Sequence, residues 1–470
     1  MVDLIIYILL ICIYNSILFF NNRLGLNVVL FIIPLLLFMY YILNKNKKIS
    51  NKKGLLFTIP IILLSISYFI YDNIFFKVFN TLVIPLLFML TYIYTMKKND
   101  TIWHTILDIF KLMIFPFAHI GKLYVALAQK FNSIVKISDN GKKKIISLLI
   151  VIPVVIIILI LLSSADMIFS NIFKNIFKIT ENVSIGNIIG RIITISMLFT
   201  FLGATISYLL LDFSKETEKK EKKEFRIENY TIKLLLTTLS VIYIVFDFIQ
   251  IRSLIFHQGL SNINYAEYAR SGFFQLMFIS IINLVILLLS KRSKEDTKYN
   301  KIMSIIMILL TLVIIISSFL RMYMYECAYG YTLLRLLVYV TLITEVILLI
   351  PTLIYIINPK INIMNYYIII ITLVYTILSL SPVDYFIAKN NINRYYKTNK
   401  IDIYYLQNYS TDNIVLLYDL YYNIDESNEE NKNMKKDLKN YFKEMYKYNK
   451  KDSLLEYNIS RKQSINKFKK

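Results

Sequence analysis

Residues 264–276, with the sequence NYAEYARSGFFQL, place an acid and a base three residues apart between two long apolar segments. At helical spacing Glu267 and Arg270 lie on one side of a helix, where they can pair with each other or with a neighbouring helix. Two interpretations are open. The pair is either a structural clasp at the membrane interface, helped by nearby aromatic residues, or part of a site for a polar ligand.

Other ionisable residues lie inside apolar segments or at their edges. A charged side chain at the centre of a membrane helix costs at least about 2.5–3.5 kcal/mol, so such residues are functional candidates. Lys77 is one of them. The candidate polar cluster, which we expect on the outer side of the membrane, consists of Asp166, Arg191, Asp247, Arg252, Glu267, Arg270, Arg321, Glu326, Arg335 and Glu345.

Two helices of this cluster carry several polar residues each. Asp247 and Gln250 are three residues apart and share a helical face, which we expect to point into the protein. Arg335 requires a buried acid such as Asp247 or Glu267 as its partner. Glu345 lies about 15 Å further along the helix of Arg335, too far to be that partner. Glu345 is either a proton-relay group or a protonated hydrogen-bonding residue.

Composition predicts the elements that position these residues. The chain has 470 residues, 57% of them hydrophobic, and a mean hydropathy of +0.56. Its apolar runs of roughly 18 residues or more are long enough to cross a hydrocarbon core of about 30 Å. The sequence therefore predicts an all-α polytopic membrane protein with eleven transmembrane helices, at residues 4–20, 24–43, 54–71, 74–94, 145–165, 185–211, 231–256, 273–290, 302–320, 331–357 and 363–381.

The predicted organisation has four parts. Residues 1–94 form four N-terminal transmembrane helices, and residues 95–144 form a cytoplasmic amphipathic segment on the membrane surface. An additional crossing within this segment is the alternative, and it would invert the orientation of everything downstream. Residues 145–381 form a seven-helix core. Residues 382–470 form an extracytoplasmic helical tail that is disordered near its end.

The distribution of Lys and Arg predicts the orientation. With a cytoplasmic N-terminus, the inner loops carry 27 of these residues and the outer loops carry 6. Because cytoplasmic loops are enriched in Lys and Arg, the N-terminus is predicted to lie in the cytoplasm and the C-terminus outside. The predicted location is a bacterial cell membrane, with the lipid bilayer as the main partner.

Several classes of function are disfavoured. The net charge of +22 does not indicate nucleic-acid binding, because most Lys and Arg residues lie in the gaps between apolar runs. A disulfide between Cys12 and Cys327 would have to cross the membrane. Three scattered histidines and two distant cysteines give no metal-ligand spacing, and no cofactor motif is present. The first apolar run is predicted to be a retained helix, because no cleavage site follows it.

Five stretches, read together and in order, resemble a known family. They are SADMIFSNIF (164–173), YAEYARSGFFQL (265–276), RMYMYECAYGYTLLRL (321–336), DYFIAKNNINRY (384–395) and KIDIYYLQNYSTDNIVLL (400–417). The family is a bacterial multi-pass membrane family catalogued as a domain of unknown function, of type four-one-seven-three and related to four-one-five-three. The resemblance covers residues 164–417 and implies no known reaction. It draws attention to Asp166, Glu267, Arg270, Arg321, Tyr325, Gly330, Arg335, Asn391, Arg394, Asp402 and Asp412.

The last four of these residues are candidates in the tail. Arg394 and Asp402 either cap the polar cluster or dock the tail onto the membrane helices. Ser410 or Thr411 is predicted to cap a helix that has Asp412 in its first turn.

Three functional hypotheses follow. The first is a non-enzymatic protein that binds or moves a small solute, ion or lipid headgroup at the outward-facing polar cluster. The second is an outer-leaflet enzyme that acts on a lipid or lipid-linked substrate, with Glu267 or Asp166 as base. The third is an envelope sensor or assembly partner. The absence of a nucleophile motif or metal set in the sequence favours a non-enzymatic role.

Overall fold

The structure is a computed structural model of the chain. It describes residues 2–45, 49, 51–96, 120, 185–208, 226–254, 273–295, 297–408, 410–426, 429–450 and 452–468. The helices among these residues are α1 Val2–Phe19, α2 Leu26–Lys45, α3 Thr58–Ile70, α4 Ile74–Met96, α5 Ile185–Tyr208, α6 Asn229–Leu254, α7 Phe273–Ser290, α8 Lys298–Tyr329, α9 Leu333–Ile357, α10 Ile363–Ser379, α11 Val383–Thr398, α12 Ile403–Gln407, α13 Ile414–Asn423, α14 Glu429–Asn449 and α15 Ile459–Phe468. Short 3-10 helices cover Lys52–Phe57 and Thr411–Asn413, and no strand occurs in the described part of the chain.

The described helices are those of a multi-pass membrane protein. Seven helical segments are long and apolar enough to cross a bilayer: Leu26–Asn44, Lys52–Ile70, Ile74–Met96, Asn229–Phe248, Phe273–Ser290, Lys298–Tyr329 and Leu333–Ile357. Helices α10 and α11, which meet at a bend of 61°, together make an eighth candidate. Pro382 explains the bend, because it lies between the two helices and has no backbone N–H with which to continue the hydrogen-bond ladder of α10.

The predicted count of eleven crossings is not confirmed, since seven or eight candidate crossings occur among the described residues. The apolar parts of α1 and α5, Ile6–Phe19 and Gly190–Ile206, are shorter than a full crossing. The predicted span 145–165 and the predicted surface segment 95–144 lie outside the described residues, apart from 95–96 in α4 and the single residue 120.

Helix α8 is central to the larger group of helices. Its 32 residues correspond to about 48 Å, so it is longer than the hydrocarbon core is thick. It packs against α6, α7 and α9, and the shared core contains Leu236, Leu287, Met307 and Leu342, all nearly or fully buried. Burial of large aliphatic side chains on several helices at once holds this group together.

The N-terminal helices form a second group. Helices α2, α3 and α4 pack together around Ile61, Leu64 and Leu87, and α1 packs against α5. A close contact occurs at Gly190 of α5, where an added Cβ would lie 3.0 Å from the ring of Phe20. The small residue therefore brings α5 close to the end of α1.

The tail has a core of its own. Helices α11 to α14 enclose buried residues that include Ile387, Leu406, Leu417 and Leu438. The expectation of disorder near the C-terminus is wrong for α15, which covers most of the last dozen residues. This helix is ordered because Arg461 and Ser464 are buried in contacts with the rest of the chain, which composition alone does not reveal.

The loops separate into two sets at opposite ends of the helices. The α1–α2, α3–α4 and α8–α9 connections all contact the tail. At the other end, residue 51 is hydrogen-bonded to residue 95, and residue 227 is hydrogen-bonded to residues 292 and 294. If successive helices cross the membrane in opposite directions, their loops are expected to fall into these same two sets.

Candidate functional site

The first polar group lies between α6 and α8, near the end that faces the tail. Gln250 on α6 accepts hydrogen bonds of 2.9 Å through Oε1 from the hydroxyl of Ser317 and from Nη2 of Arg321, both on α8. All three side chains are buried. We call these residues, together with Asp247, the α6–α8 polar group.

Asp247 is the least satisfied member of this group. It precedes Gln250 by three residues on α6 and is 4% exposed, so the predicted inward face of the two residues is confirmed. Neither carboxylate oxygen of Asp247 has a hydrogen-bond partner in the described structure. An isolated ionised carboxylate is strongly disfavoured in an apolar interior. Asp247 must therefore be neutral there or hold a cation.

A chain of neutral hydrogen bonds lies one turn deeper. The Tyr243 hydroxyl on α6 donates to Oδ1 of Asn283 on α7 at 2.8 Å, and Nδ2 of Asn283 donates to Thr311 Oγ1 on α8 at 3.1 Å. Thr311 in turn donates to the carbonyl of Met307. Each buried group in this chain has a partner, so the chain stabilises the contact between three helices.

Glu345 lies between α9 and α7 and is 2% exposed. Its Oε2 is within hydrogen-bond distance of the Ser280 hydroxyl, whereas its Oε1 has no partner in the described structure. The Ser280 hydroxyl also lies 2.8 Å from the carbonyl of Met277. No titratable side chain occurs on α7, and none occurs on α8 at residues 302–320.

A second polar group surrounds the turn between α8 and α9. The Arg335 guanidinium stacks on the ring of Tyr325, 4.3 Å from its centroid, and donates to the carbonyl of Gly330. Arg335 also interacts electrostatically with Glu326. Of the two acids expected as partners of Arg335, Asp247 makes no such pair, because the tight turn at Gly330 returns α9 alongside the end of α8, and Glu267 lies outside the described residues.

The tail docks onto the same turn. The side-chain amide of Asn391 accepts from the Tyr331 backbone N–H at 2.9 Å and donates to the Tyr331 carbonyl at 2.8 Å. Nη2 of Arg394 donates to the Ala328 carbonyl at 2.6 Å. Asn391 and Arg394 therefore hold α11 against the α8–α9 turn, which is the docking role considered above.

Asp402 has a capping role in the tail. Its carboxylate accepts a hydrogen bond of 2.8 Å from the backbone N–H of Tyr405 at the start of α12. The Tyr405 hydroxyl then accepts from the backbone N–H of Leu333, the first residue of α9. Asp402 thus helps to orient Tyr405, whose hydroxyl accepts a hydrogen bond from a backbone N–H at the start of α9.

A third polar group, which we call the tail clasp, joins the tail to the α3–α4 loop. It consists of Asp72, Lys77, Asp384, Asp412 and Arg461. Lys77 pairs with Asp72, and the Asp72 backbone N–H donates to Asp412 at 2.8 Å. Asp384 accepts from Asn73 at 2.7 Å and from the Ser410 hydroxyl.

Arg461 completes the tail clasp from α15. Its Nη2 donates to the Leu24 carbonyl at 3.0 Å and to the Glu456 carbonyl, and its Nη1 lies 3.8 Å from Asp72. Its Nε lies 3.0 Å from Oδ2 of Asp452, although the two atoms are not aligned for a hydrogen bond. The buried Arg461 guanidinium thus contacts both the α1–α2 connection, at Leu24, and the α3–α4 loop, at Asp72.

Burial controls the electrostatics of the clasp acids. It raises the pKa of Asp412 to about 6, against the opposing effects of a Ser460 hydrogen bond, the Asp72 backbone N–H and the Lys77 charge. Burial also raises the pKa of Asp452, while Arg461 and Arg23 act in the opposite direction. Arg23 lies 3.1 Å from Asp452.

The chain matches a known family model over most of its length. The model of a domain of unknown function (DUF4153) matches residues 58–420, more than three quarters of the chain. The chain belongs to the DUF4153 family. The resemblance inferred from residues 164–417 is thereby confirmed, and the matching family is the four-one-five-three member of the pair. Comparison with curated proteins and with solved structures gives no match.

The DUF4153 region contains most of the polar groups described above. It includes Asp72, Lys77, Asp384 and Asp412 of the tail clasp, whereas Arg461 lies beyond residue 420. The clasp therefore joins acids of the DUF4153 region to a cation from the segment that follows it.

The candidate polar cluster is divided in the structure. Arg321 is hydrogen-bonded to Gln250, and Glu326 lies with Arg335 at the α8–α9 turn, but Arg191 is exposed on α5 with its guanidinium 5.0 Å from the ring of Phe20. Asp166, Glu267, Arg270 and the side chain of Arg252 lie outside the described residues.

Of the five residues of the tail clasp, only Asp412 and Lys77 were indicated by the sequence. A lysine inside an apolar segment requires an acid, and Asp72 lies five residues earlier at the same helix end. That signal could have identified the pair. No local signal indicates Asp384 or Arg461, which reach the clasp through tertiary packing.

Neither metal ligation nor a disulfide is found in the described part of the chain. No group of three or more His, Cys, Asp or Glu side chains there could hold a metal ion. Cys12 is buried and Cys327 is exposed, and both are free thiols. The chemistry of the described groups is therefore that of carboxylates, guanidinium groups, amides and hydroxyls.

Proposed function

We propose that this DUF4153 protein binds or moves a small solute, ion or lipid headgroup at the α6–α8 polar group. The observation that carries the proposal is the Asp247 carboxylate, which is buried and has no hydrogen-bond partner in the described structure. Ionisable residues in membrane helices are rare and commonly mark substrate and ion pathways.

The surroundings of Asp247 suit a ligand that brings positive charge. A small cation, or the ammonium group of a solute or lipid headgroup, would compensate the carboxylate and remove the penalty of burying it. Gln250 and Ser317, with Arg321 beside them, form a polar boundary one turn nearer the tail. We infer that the ligand enters from that end, which the distribution of Lys and Arg predicts to face outward.

The arrangement of neighbouring side chains supports a preformed site. Gln250 is held by two donors from α8, and Tyr243 on the other side of Asp247 is held by Asn283. Positions fixed in this way require little reorganisation when a ligand binds, which favours affinity.

The proposal is tested by ligand-dependent stability of the purified protein in detergent. Thermal unfolding is followed at constant ionic strength in sodium, potassium or choline chloride, and separately with soluble short-chain phosphatidylglycerol or phosphatidylethanolamine. A ligand at 100 times its Kd adds about 2.7 kcal/mol to the free energy of unfolding. At least one of these probes is expected to raise the unfolding midpoint of the unchanged protein.

The variants assign the effect to the site. Asp247→Asn keeps the size of the side chain but removes the charge, and we expect it to abolish the response to the effective probe. Glu228→Gln is the matched control, because Glu228 is exposed and pairs with Lys294 at the opposite end of α6. The proposal fails if no probe stabilises the unchanged protein, or if Asp247→Asn responds as strongly as Glu228→Gln.

A further inference from the structure

We propose that Glu345 is a proton-binding site, separate from the α6–α8 polar group, that holds a proton at neutral pH and exchanges it through a rotation of the Ser280 hydroxyl. The ligand of this site is the proton itself. Two features of the site support this role: the number of protons that Glu345 and Ser280 share, and the groups that surround them.

The Ser280 hydroxyl has one proton and two nearby acceptors. One is the Met277 carbonyl at 2.8 Å, the usual back-bond of a helical serine, and the other is Oε2 of Glu345. If the hydroxyl donates to the Met277 carbonyl, its proton is not available to Glu345. Ser280 Oγ and Glu345 Oε2 then face each other with no serine proton between them. That contact is favourable only when Glu345 carries the proton and donates it to Ser280 Oγ.

The surroundings of Glu345 favour the same protonation state. The carboxyl is 2% exposed, and Oε1 has no hydrogen-bond partner in the described structure. The helices packed against α9 are α7, α8, α10 and α11. Helix α7 carries no titratable side chain, and α8 carries none between Lys301 and Arg321. These parts of α7 and α8 therefore supply no cation that could stabilise an ionised carboxylate.

The titratable groups on α10 and α11 are exposed or engaged elsewhere. On α11 beyond Asp384, Arg394 and Tyr395 bind the α8–α9 turn and the tail, and the exposed groups are Tyr385, Lys389, Tyr396 and Lys397. The Tyr367 hydroxyl is hydrogen-bonded to Thr352, and the Tyr375 hydroxyl donates to Asn80. Tyr366 is exposed, and Asp384 belongs to the tail clasp. On α9 itself, Arg335 stacks on Tyr325 at the far end of the helix. Among the described residues, no acidic or basic group is therefore found in direct contact with Glu345.

Ser280 provides a way to exchange this proton. When Glu345 loses its proton to water, the carboxylate has two acceptor oxygens and the Ser280 hydroxyl can rotate from Met277 to donate to it. One O–H bond of Glu345 is broken, its proton leaves as hydronium, and one hydrogen bond to the Met277 carbonyl is exchanged for one to the carboxylate. Ser280 is thus a positioning residue that stabilises each protonation state in turn.

The test is infrared spectroscopy of the full-length protein in lipid vesicles. A protonated carboxyl group has a carbonyl stretch that an ionised carboxylate lacks, and hydrogen bonding lowers its frequency. We expect a band at neutral pH that is lost in Glu345→Gln and that moves to higher frequency in Ser280→Ala. The band should disappear reversibly as the pH is raised and return when the pH is lowered.

The Asp247→Asn variant separates this proposal from the proposed function. It removes any contribution of the second buried carboxyl and should leave the Glu345 band in place. Two results would overturn the inference: a spectrum at neutral pH that Glu345→Gln does not change, or a Glu345 band that persists at every pH at which the protein stays folded. Glu345→Gln keeps a hydrogen-bond donor toward Ser280, so its folding, checked by circular dichroism and gel filtration, is expected to be unchanged.

Discussion

The backbone N–H of Asp72 donates a hydrogen bond of 2.8 Å to the carboxylate of Asp412, which lies 340 residues further along the chain. The carboxylate of Asp72 accepts a second bond of 3.1 Å from the Thr411 hydroxyl and pairs with Lys77. These contacts fix the α3–α4 loop to the start of α13. The tail is therefore part of the folded membrane protein rather than an independent appendage.

The tail clasp predicts a dependence of stability on pH. In the folded protein the pKa of Asp412 is raised by burial to about 6, from an ordinary value of 3.8. Between these two values the folded protein binds more protons than the unfolded chain does. The free energy of unfolding therefore rises as the pH falls through this window, and the stability is lower above it. The difference amounts to at most about 3 kcal/mol.

The measurement compares unfolding midpoints of the protein and of Asp412→Asn in detergent between about pH 7 and about pH 4. Asp72, Lys77, Asp384 and Arg461 face the same cluster in both proteins, so the quantity of interest is the difference between the two proteins. We expect this difference to shift in favour of the unchanged protein as the pH falls. A difference that stays constant over this range would contradict the prediction.

Arg461 is predicted to hold the C-terminal helix in place. Arg461→Ala removes the buried guanidinium from Asp72, Asp452 and two backbone carbonyls. Breaking a buried ion pair by removing one partner costs about 3–5 kcal/mol. We expect α15 to detach, so that limited proteolysis cuts the tail much faster in Arg461→Ala than in the unchanged protein.

Lys462→Ala is the matched control for this experiment, because the neighbouring Lys462 is exposed. It removes a positive charge from the same helix without touching the clasp. Equal rates of cleavage in the two variants would show that Arg461 does not anchor the helix.

The helices were largely predictable because long apolar runs have few alternatives in a membrane. The predicted span 273–290 coincides with Phe273–Ser290, and 231–256 lies within two residues of Asn229–Leu254. The predicted span 302–320 is much shorter than α8, because hydropathy detects the hydrocarbon core and not the polar turns by which a helix extends beyond it. The number of crossings was less predictable, since bent or short helices do not give a clear signal.

The polar contacts were predictable only where they are local. The shared face of Asp247 and Gln250 follows from helical periodicity, and it is buried as expected. The partner of Arg335 depends on the register between α8 and α9, which no local pattern contains. The order of α15 depends on contacts of Arg461 with residues near the other end of the chain, whereas its composition resembles that of a disordered segment.

Gly330 is predicted to be intolerant of a side chain. Its φ of 82° and ψ of −171° belong to a region that is almost restricted to glycine, and strain there costs about 1–3 kcal/mol. A Cβ at this position would also lie 2.5 Å from Oδ1 of Asn391. Gly330→Ala should therefore lower the unfolding midpoint and loosen α11 from the α8–α9 turn, as measured by thermal unfolding and by proteolysis within the tail. Cys327→Ala is the control, because Cys327 is exposed one turn earlier, and it is expected to have little effect on the midpoint. An unchanged midpoint for Gly330→Ala would show that a side chain at position 330 causes no strain.

The orientation of the tail can be measured with the native cysteines. Cys327 is exposed at the tail end of α8, and Cys12 is buried in α1. Because the loops at the tail end carry few Lys and Arg residues, we expect Cys327 to face outward. A membrane-impermeant maleimide should then label Cys327 in intact cells after Cys12 has been replaced by Ala.

The control probe is placed at the opposite end of the helices. Lys360 is exposed in the connection between α9 and α10, so Lys360→Cys in a protein without Cys12 and Cys327 reports the other side of the membrane. It should react only after the cells are permeabilised. If the labelling pattern is reversed, the tail clasp and the entrance to the α6–α8 polar group face the cytoplasm. Because the α1–α2 and α3–α4 loops contact the same tail as the α8–α9 turn, the whole protein would then be inverted, and cytosolic ligands would replace extracellular ones as probes of Asp247.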